Sequence, residues 1–163
     1  IVFGDWSSDV CSSDLSLSPS IHFTGGEPFV YQGLWDVIGH ARQLGCTIAI
    51  LTNGPLITAQ DAVNASQLGI SDIQISLEGP PDVHDGIRGV GSFENATKGA
   101  RLLIAAGNMV SASMTLSNLN IGHIEETANI AKDIGFSAMG FSRLVPCGSG
   151  GSMLSNKIGR AHV

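Results

Sequence analysis

Cysteine is scarce in this chain, and none of its three copies, Cys11, Cys46 and Cys147, stands at metal-ligand spacing from another. That excludes a disulfide framework and a cysteine-based metal signature. Basic residues are few as well: eight lysines and arginines face fourteen acids, for a net charge of −6 with no basic block. Neither a nucleic acid nor an anionic membrane surface is therefore an expected partner. No apolar run approaches the roughly 18 residues that a membrane span requires. The expectation is a soluble, cytoplasmic protein. His22, His40 and His123 are assigned no role, and no metal ligand or catalytic residue is assigned.

What the chain does contain is an alternation of short branched-apolar runs with longer stretches of helical period, the pattern of a parallel sheet with crossover helices. It predicts strands near Ile21 to Thr24, Thr47 to Thr52, Asp72 to Leu77, Val110 to Leu116 and Ala138 to Leu144. Between them, Leu34, Trp35, Ile38, Ala41 and Leu44 repeat at helical spacing and stop at Gly45. A second helix, about Thr58 to Leu68, stops before Gly69; a third, N-capped by Ser92, before Gly107; a fourth before Gly135. A glycine just past each last periodic residue is a helix C-cap signal. The fold class is α/β.

Both ends carry a foreign signature. Asp5 to Leu15 reads as an in-frame translation of a common sequencing adapter, and Ile158 to Val163 as its reverse complement. Residues 1–15 and 157–163 are accordingly expected to be artefact, to be set aside as fusion scars are. That leaves 16–156 as a partial domain.

The candidate site residues cluster where the predicted strands end, which is where ligands bind in parallel barrels and open parallel sheets. After the first strand comes Thr24-Gly25-Gly26-Glu27-Pro28: two glycines that let backbone approach a ligand, a carboxylate suited to an ammonium, and a stiffening proline. Thr52 and Asn53 end the second strand, with hydroxyl and amide groups that either hydrogen-bond a ligand or cap the following helix. Ser76 ends the third. Arg88 follows twelve residues later, with a guanidinium able to grip a carboxylate through two bonds. His84-Asp85 lies among Pro80, Pro81, Gly86 and Gly89 and reads as a turn. Val145 ends the fifth strand and suits stacking or core packing.

In this order, Phe23-Thr24-Gly25-Gly26-Glu27-Pro28, Leu51-Thr52-Asn53-Gly54, Ile75-Ser76-Leu77-Glu78-Gly79-Pro80, His84-Asp85-Gly86-Ile87-Arg88-Gly89 and Arg143-Leu144-Val145-Pro146 resemble the radical S-adenosylmethionine (SAM) enzymes. The resemblance covers about Ile21 to Gly150. It is closest to the branch that matures peptides and proteins and often carries a cysteine-rich C-terminal domain. It implies a partial parallel (β/α) barrel with about five of six strands present. It also implies two cofactors, SAM and a 4Fe-4S cluster whose electron, from an external donor, cleaves SAM to a 5′-deoxyadenosyl radical that attacks a peptide or protein substrate. By the same resemblance, the Gly25-Gly26-Glu27 segment contacts the SAM amino group, Ser76 and Arg88 its carboxylate or ribose, and Val145 the adenine. Glu78 stands where many relatives have Asp. The family's Cys-x-x-x-Cys-x-x-Cys loop is absent from this sequence, so the chain as it stands is expected to be inactive. Two alternatives stay open: a cluster-free, non-catalytic scaffold of the same fold that binds a peptide, and an unrelated parallel α/β enzyme holding a phosphorylated metabolite at helix N-termini.

Overall fold

The computed structural model describes residues 19–144. Its strands are β1 (Ser20–Phe23), β2 (Thr47–Thr52), β3 (Asp72–Ser76), β4 (Val110–Leu116) and β5 (Ala138–Arg143). The helices are α1 (Leu34–Gln43), α2 (Ala59–Leu68), α3 (Pro81–Arg88), α4 (Ser92–Ala105) and α5 (Ile124–Ile134), with short 3-10 turns at Pro28–Val30 and Ile121–His123. The strands form one sheet in the order β1-β2-β3-β4-β5, and all four pairings are parallel. Each strand neighbours the next in sequence, the arrangement of a partial (β/α) barrel. Val145 and Cys147 lie outside the described residues.

The register separates two chemically different faces, because side chains alternate along each strand. Ile50, Ile73 and Val110 share one face across β2, β3 and β4, joined by Ile48, Ile75, Ala112 and Met114. All seven are buried under the helices. The other face carries Leu51, Gln74 and Ser111 in one row, Ser76, Ser113 and Gly140 in the next, and Thr115 beside Ser142 beyond them. Parallel strands covered on both faces read as near-continuous aliphatic runs. These do not, so helices cover only one side, and the small polar residues of the other line an open concave lumen.

The four helix-terminating glycines behave as the sequence predicts: Gly45, Gly69, Gly107 and Gly135 all take positive φ. Two local readings are corrected. The His84-Asp85 segment is helical, not a turn, because Pro81 sits in the first turn of α3, where its missing N–H costs nothing. Ser92 is the first residue of α4, and Gly91 holds the cap position. The α4 N–H groups are instead served from α3: the Asp85 carboxylate accepts from Gly91 N (2.6 Å), Phe93 N (2.8 Å) and Ser92 Oγ (3.1 Å).

One close approach fixes the ligand end of β2. A Cβ at Gly99 would lie 2.5 Å from the carbonyl oxygen of Gly54, and Gly54 itself takes φ +88°. Glycine at both positions lets α4 rest directly on the turn that carries Asn53.

Candidate functional site

The residues that end β1 and β2 are tied together by one carboxylate. Glu27 Oε1 accepts from Thr52 Oγ1 (2.6 Å) and Phe29 N (3.3 Å), and Oε2 from Asn53 N (2.9 Å). Thr52 Oγ1 in turn accepts from Gly54 N (3.0 Å), and Asn53 Nδ2 donates to Gly26 O (3.2 Å). Gly25 takes φ 131°, a conformation that side chains rarely permit. Glu27 therefore shapes the double-glycine turn through its side chain. Pro28 is buried at the start of the following turn.

A second carboxylate ties the ends of β3 and β4. Glu78 Oε1 accepts from Arg88 Nη2 (2.6 Å) and Nε (3.1 Å), while Oε2 accepts from Thr115 N (2.7 Å). The Glu78 N–H donates to His84 Nδ1 (3.0 Å), and its carbonyl accepts from Asn120 Nδ2 (3.0 Å). Arg88 Nη1 then reaches Asn53 Oδ1 (2.6 Å), so a continuous chain of polar contacts joins Glu27, Asn53, Arg88 and Glu78. Asn120, fully buried, accepts from Ser117 N and donates to Thr115 O, bracing the loop after β4.

Two cavities flank this chain of contacts. One, of about 350 Å³, opens at the C-terminal end of the lumen, lined by Thr24, Gly25, Gly26, Thr52, Asn53 and Ser76, with Leu51, Gln74, Ser113 and Ser142 completing the wall. The other, of about 480 Å³, lies between α3 and the α4 N-terminus against Asn53, His84 and Arg88. Ser76 and Arg88 thus face different cavities, and Asn53 alone of the named site residues lines both. Gln74, Ser113 and Ser142 escaped the sequence reading. Their signal was polar residues at period two within strands that otherwise carry aliphatics.

His84 is buried, and its Nδ1 must be unprotonated to accept the Glu78 N–H. Burial, aided by the Arg88 charge and opposed by Asp85, lowers its pKa from 6.5 to about 4. The native state therefore holds a neutral imidazole where the unfolded chain takes up a proton. The unfolded state binds more protons between about pH 6.5 and 4, so stability falls as pH drops through that window. The expected loss is roughly 2 kcal/mol, less than full linkage gives, because the ring borders an open cavity. Urea unfolding of wild type and His84→Asn at pH 7 and pH 4.5 checks this. The variant should show a clearly smaller pH effect, and equal pH effects would locate the loss in another group. The Asp85 carboxyl is lowered too, by a different cause: the N–H groups of Phe93 and then Gly91 hold it below the usual range, and it stays ionised as a cap.

A five-stranded parallel sheet with glycine-lined strand ends, a hydroxyl- and amide-rich lumen and two carboxylates locking the rim defines a class: partial (β/α)-barrel proteins. Residues 15–131 match the Radical SAM superfamily, and the chain belongs to that family. Among curated proteins it is 34% identical over 133 residues to the AdoMet-dependent heme synthase of Oleidesulfovibrio alaskensis, covering 80% of this chain and 34% of that protein. It is 33% identical over 132 residues to the mycofactocin maturase MftC of Mycobacterium tuberculosis (80% and 34%), and 32% over 116 residues to the PqqA peptide cyclase of Streptomyces rochei (71% and 32%). The chain spans about a third of the length of these relatives. The fold is shared with anSMEcpe with bound AdoMet (TM-score 0.69, 18% identity, 80% of this chain and 40% of that one). It is also shared with Streptococcus suis SuiB bound to its precursor peptide SuiA (TM-score 0.70, 16% identity, 88% and 31%).

The residues present differ in how they suit the family's two cofactors. The lumen hydroxyls and amides suit the ribose and amino-acid groups of SAM, and Arg88 keeps N–H groups for a carboxylate. A 4Fe-4S cluster does not fit. Cys46 is the one cysteine among the described residues, buried just before β2, at the end of the strand away from the site. No group of three metal-ligating side chains occurs among the described residues, nor does a helix long and apolar enough to cross a membrane.

Proposed function

We propose that this chain is a segment of an enzyme that cleaves SAM reductively and directs the resulting radical chemistry to a peptide or protein. The observation that carries this reading is the polar lumen mouth, where Thr24, Gly25, Gly26, Thr52, Asn53 and Ser76 converge on one cavity in a chain of the Radical SAM superfamily. In it, the Gly25-Gly26 turn, held by Glu27 and backed by Pro28, receives the amino group of SAM. Ser76 and the lumen serines orient the ribose. Arg88, which lines the second cavity and meets the lumen wall at Asn53, takes the carboxylate, and the adenine is assigned to Val145. Such an enzyme would need a 4Fe-4S cluster and an electron donor to supply the reducing electron, and the described residues do not provide the cluster's ligands.

Likeness to a mycofactocin maturase and a PqqA peptide cyclase supports a peptide substrate. Likeness to an AdoMet-dependent heme synthase at 34% identity supports a second reading, a tetrapyrrole substrate on the same scaffold. The reading also takes 16–156 as a partial core domain and residues 1–15 and 157–163 as adapter-derived. A cytoplasmic setting goes with it, since oxygen-sensitive clusters need reducing surroundings.

The test uses the complete gene product that carries this segment, isolated anaerobically and supplied with reductant and SAM. Formation of 5′-deoxyadenosine and methionine is expected, with consumption of a peptide or a tetrapyrrole separating the two substrates. A cluster-loaded product that binds SAM yet never releases 5′-deoxyadenosine would overturn the reading.

A further inference from the structure

We propose that Glu78 is a positioning residue that sets the Arg88 guanidinium for the carboxylate of SAM, an inference that rests on the SAM-binding reading above. The side chain of Glu78 is 3% exposed and that of Arg88 28% exposed, so the anion of the pair is sealed in and the cation forms its open end. Every hydrogen-bonding group of Glu78 is engaged, by α3, β4 and the loop after β4. Its carboxylate takes Arg88 from the end of α3 and the Thr115 N–H of β4, its own N–H is held by His84, and its carbonyl by Asn120. A carboxylate gripped this way cannot follow the arginine; the arginine must follow it.

Three of the five N–H groups of a guanidinium are used here, Nε and one on Nη2 by Glu78 and one on Nη1 by Asn53. One N–H on each terminal nitrogen remains, enough for a two-bond grip on a carboxylate. Without Glu78 the side chain of Arg88 regains its rotamer freedom, and ordering it again at each binding event costs affinity. The extra attraction of an unpaired guanidinium does not make this up, because its partly exposed charge is screened by water. Glu78 reaches Thr115 and Arg88 with one side chain, so the carboxylate at this position has a geometric role that the sequence alone does not reveal.

The test is calorimetric binding of SAM, and of 5′-methylthioadenosine, which lacks the amino-acid carboxylate, to the complete gene product and three variants. Glu78→Gln and Arg88→Met are each expected to weaken SAM binding at least tenfold while leaving methylthioadenosine binding within about threefold, and the double variant to bind SAM no more weakly than Arg88→Met. Such non-additivity marks two residues acting as a unit. Multiplying effects, or SAM binding by Glu78→Gln equal to wild type, overturn the proposal. Equal loss of both ligands in Glu78→Gln makes its role merely structural and likewise overturns it. Where Glu78→Gln fails to fold, Glu78→Asp replaces it in the same cycle, with SAM binding expected to weaken only when Arg88 is present. A wild-type protein that binds methylthioadenosine but not SAM rejects the SAM reading itself, and this inference with it.

Discussion

Reconstituted anaerobically with iron and sulfide, this chain is expected to take up no 4Fe-4S cluster and to leave SAM uncleaved. Such clusters are held by cysteine thiolates, and the sequence offers only Cys11, Cys46 and Cys147, far apart in the chain. Cys46 is 5% exposed and packs in the core among Leu34, Ile38 and Ile48. It stands just before β2, whereas the site lies past the far end of that strand, so drawing it to the lumen mouth would require unfolding β2. The loss is all or none, because the described lumen residues offer no thiolate to hold iron. Iron content, the absorption and spin signals of the reduced product, and chromatography for 5′-deoxyadenosine measure it. A stoichiometric cluster together with 5′-deoxyadenosine would refute it.

Replacing Ile73 by alanine is expected to destabilise the fold by about 2–5 kcal/mol. Ile73 is fully buried in β3, the central strand, between Ile50 on β2 and Val110 on β4. Both neighbours are fixed in register by the sheet, so the surroundings collapse poorly around the lost atoms and most of the cavity remains. Against a typical domain stability of about 5–15 kcal/mol, that is a large fraction. Urea denaturation of Ile73→Ala beside the surface control Val63→Ala measures it, with the control expected within about 0.5 kcal/mol of wild type. A loss in Ile73→Ala no larger than in the control would show that the helix-covered face is not the stabilising core.

Much of the fold is legible in the sequence because it rests on local rules. Branched runs such as Thr47–Thr52 and Asp72–Ser76 are strands wherever they fall, and glycines 45, 69, 107 and 135 end helices by allowing a left-handed turn. α3 escaped the reading because Pro80, Pro81, Gly86 and Gly89 all argue for a turn. Its helicity is stabilised by side-chain contacts with residues outside the helix: His84 against the Glu78 N–H, Arg88 against the Glu78 carboxylate, and Asp85 against the first turn of α4. The site shows the same division. The glycine pair, Thr52, Asn53, Ser76 and Arg88 stand out as residue types at strand ends. That Glu27 closes the double-glycine turn, or that Arg88 and Ser76 open onto different cavities, is not written in any local pattern.

By itself the sequence determined the family, the parallel order of elements and the absence of a cluster-binding cysteine set, because periodicity, end-capping glycines and motif spacing are properties of short stretches of chain. Only the tertiary structure decided what the two glutamates do. Glu27 and Glu78 each satisfy donors brought near by the sheet from as far as 26 and 37 residues away. A carboxylate at least partly withdrawn from water takes its role from whichever donors the fold delivers to it.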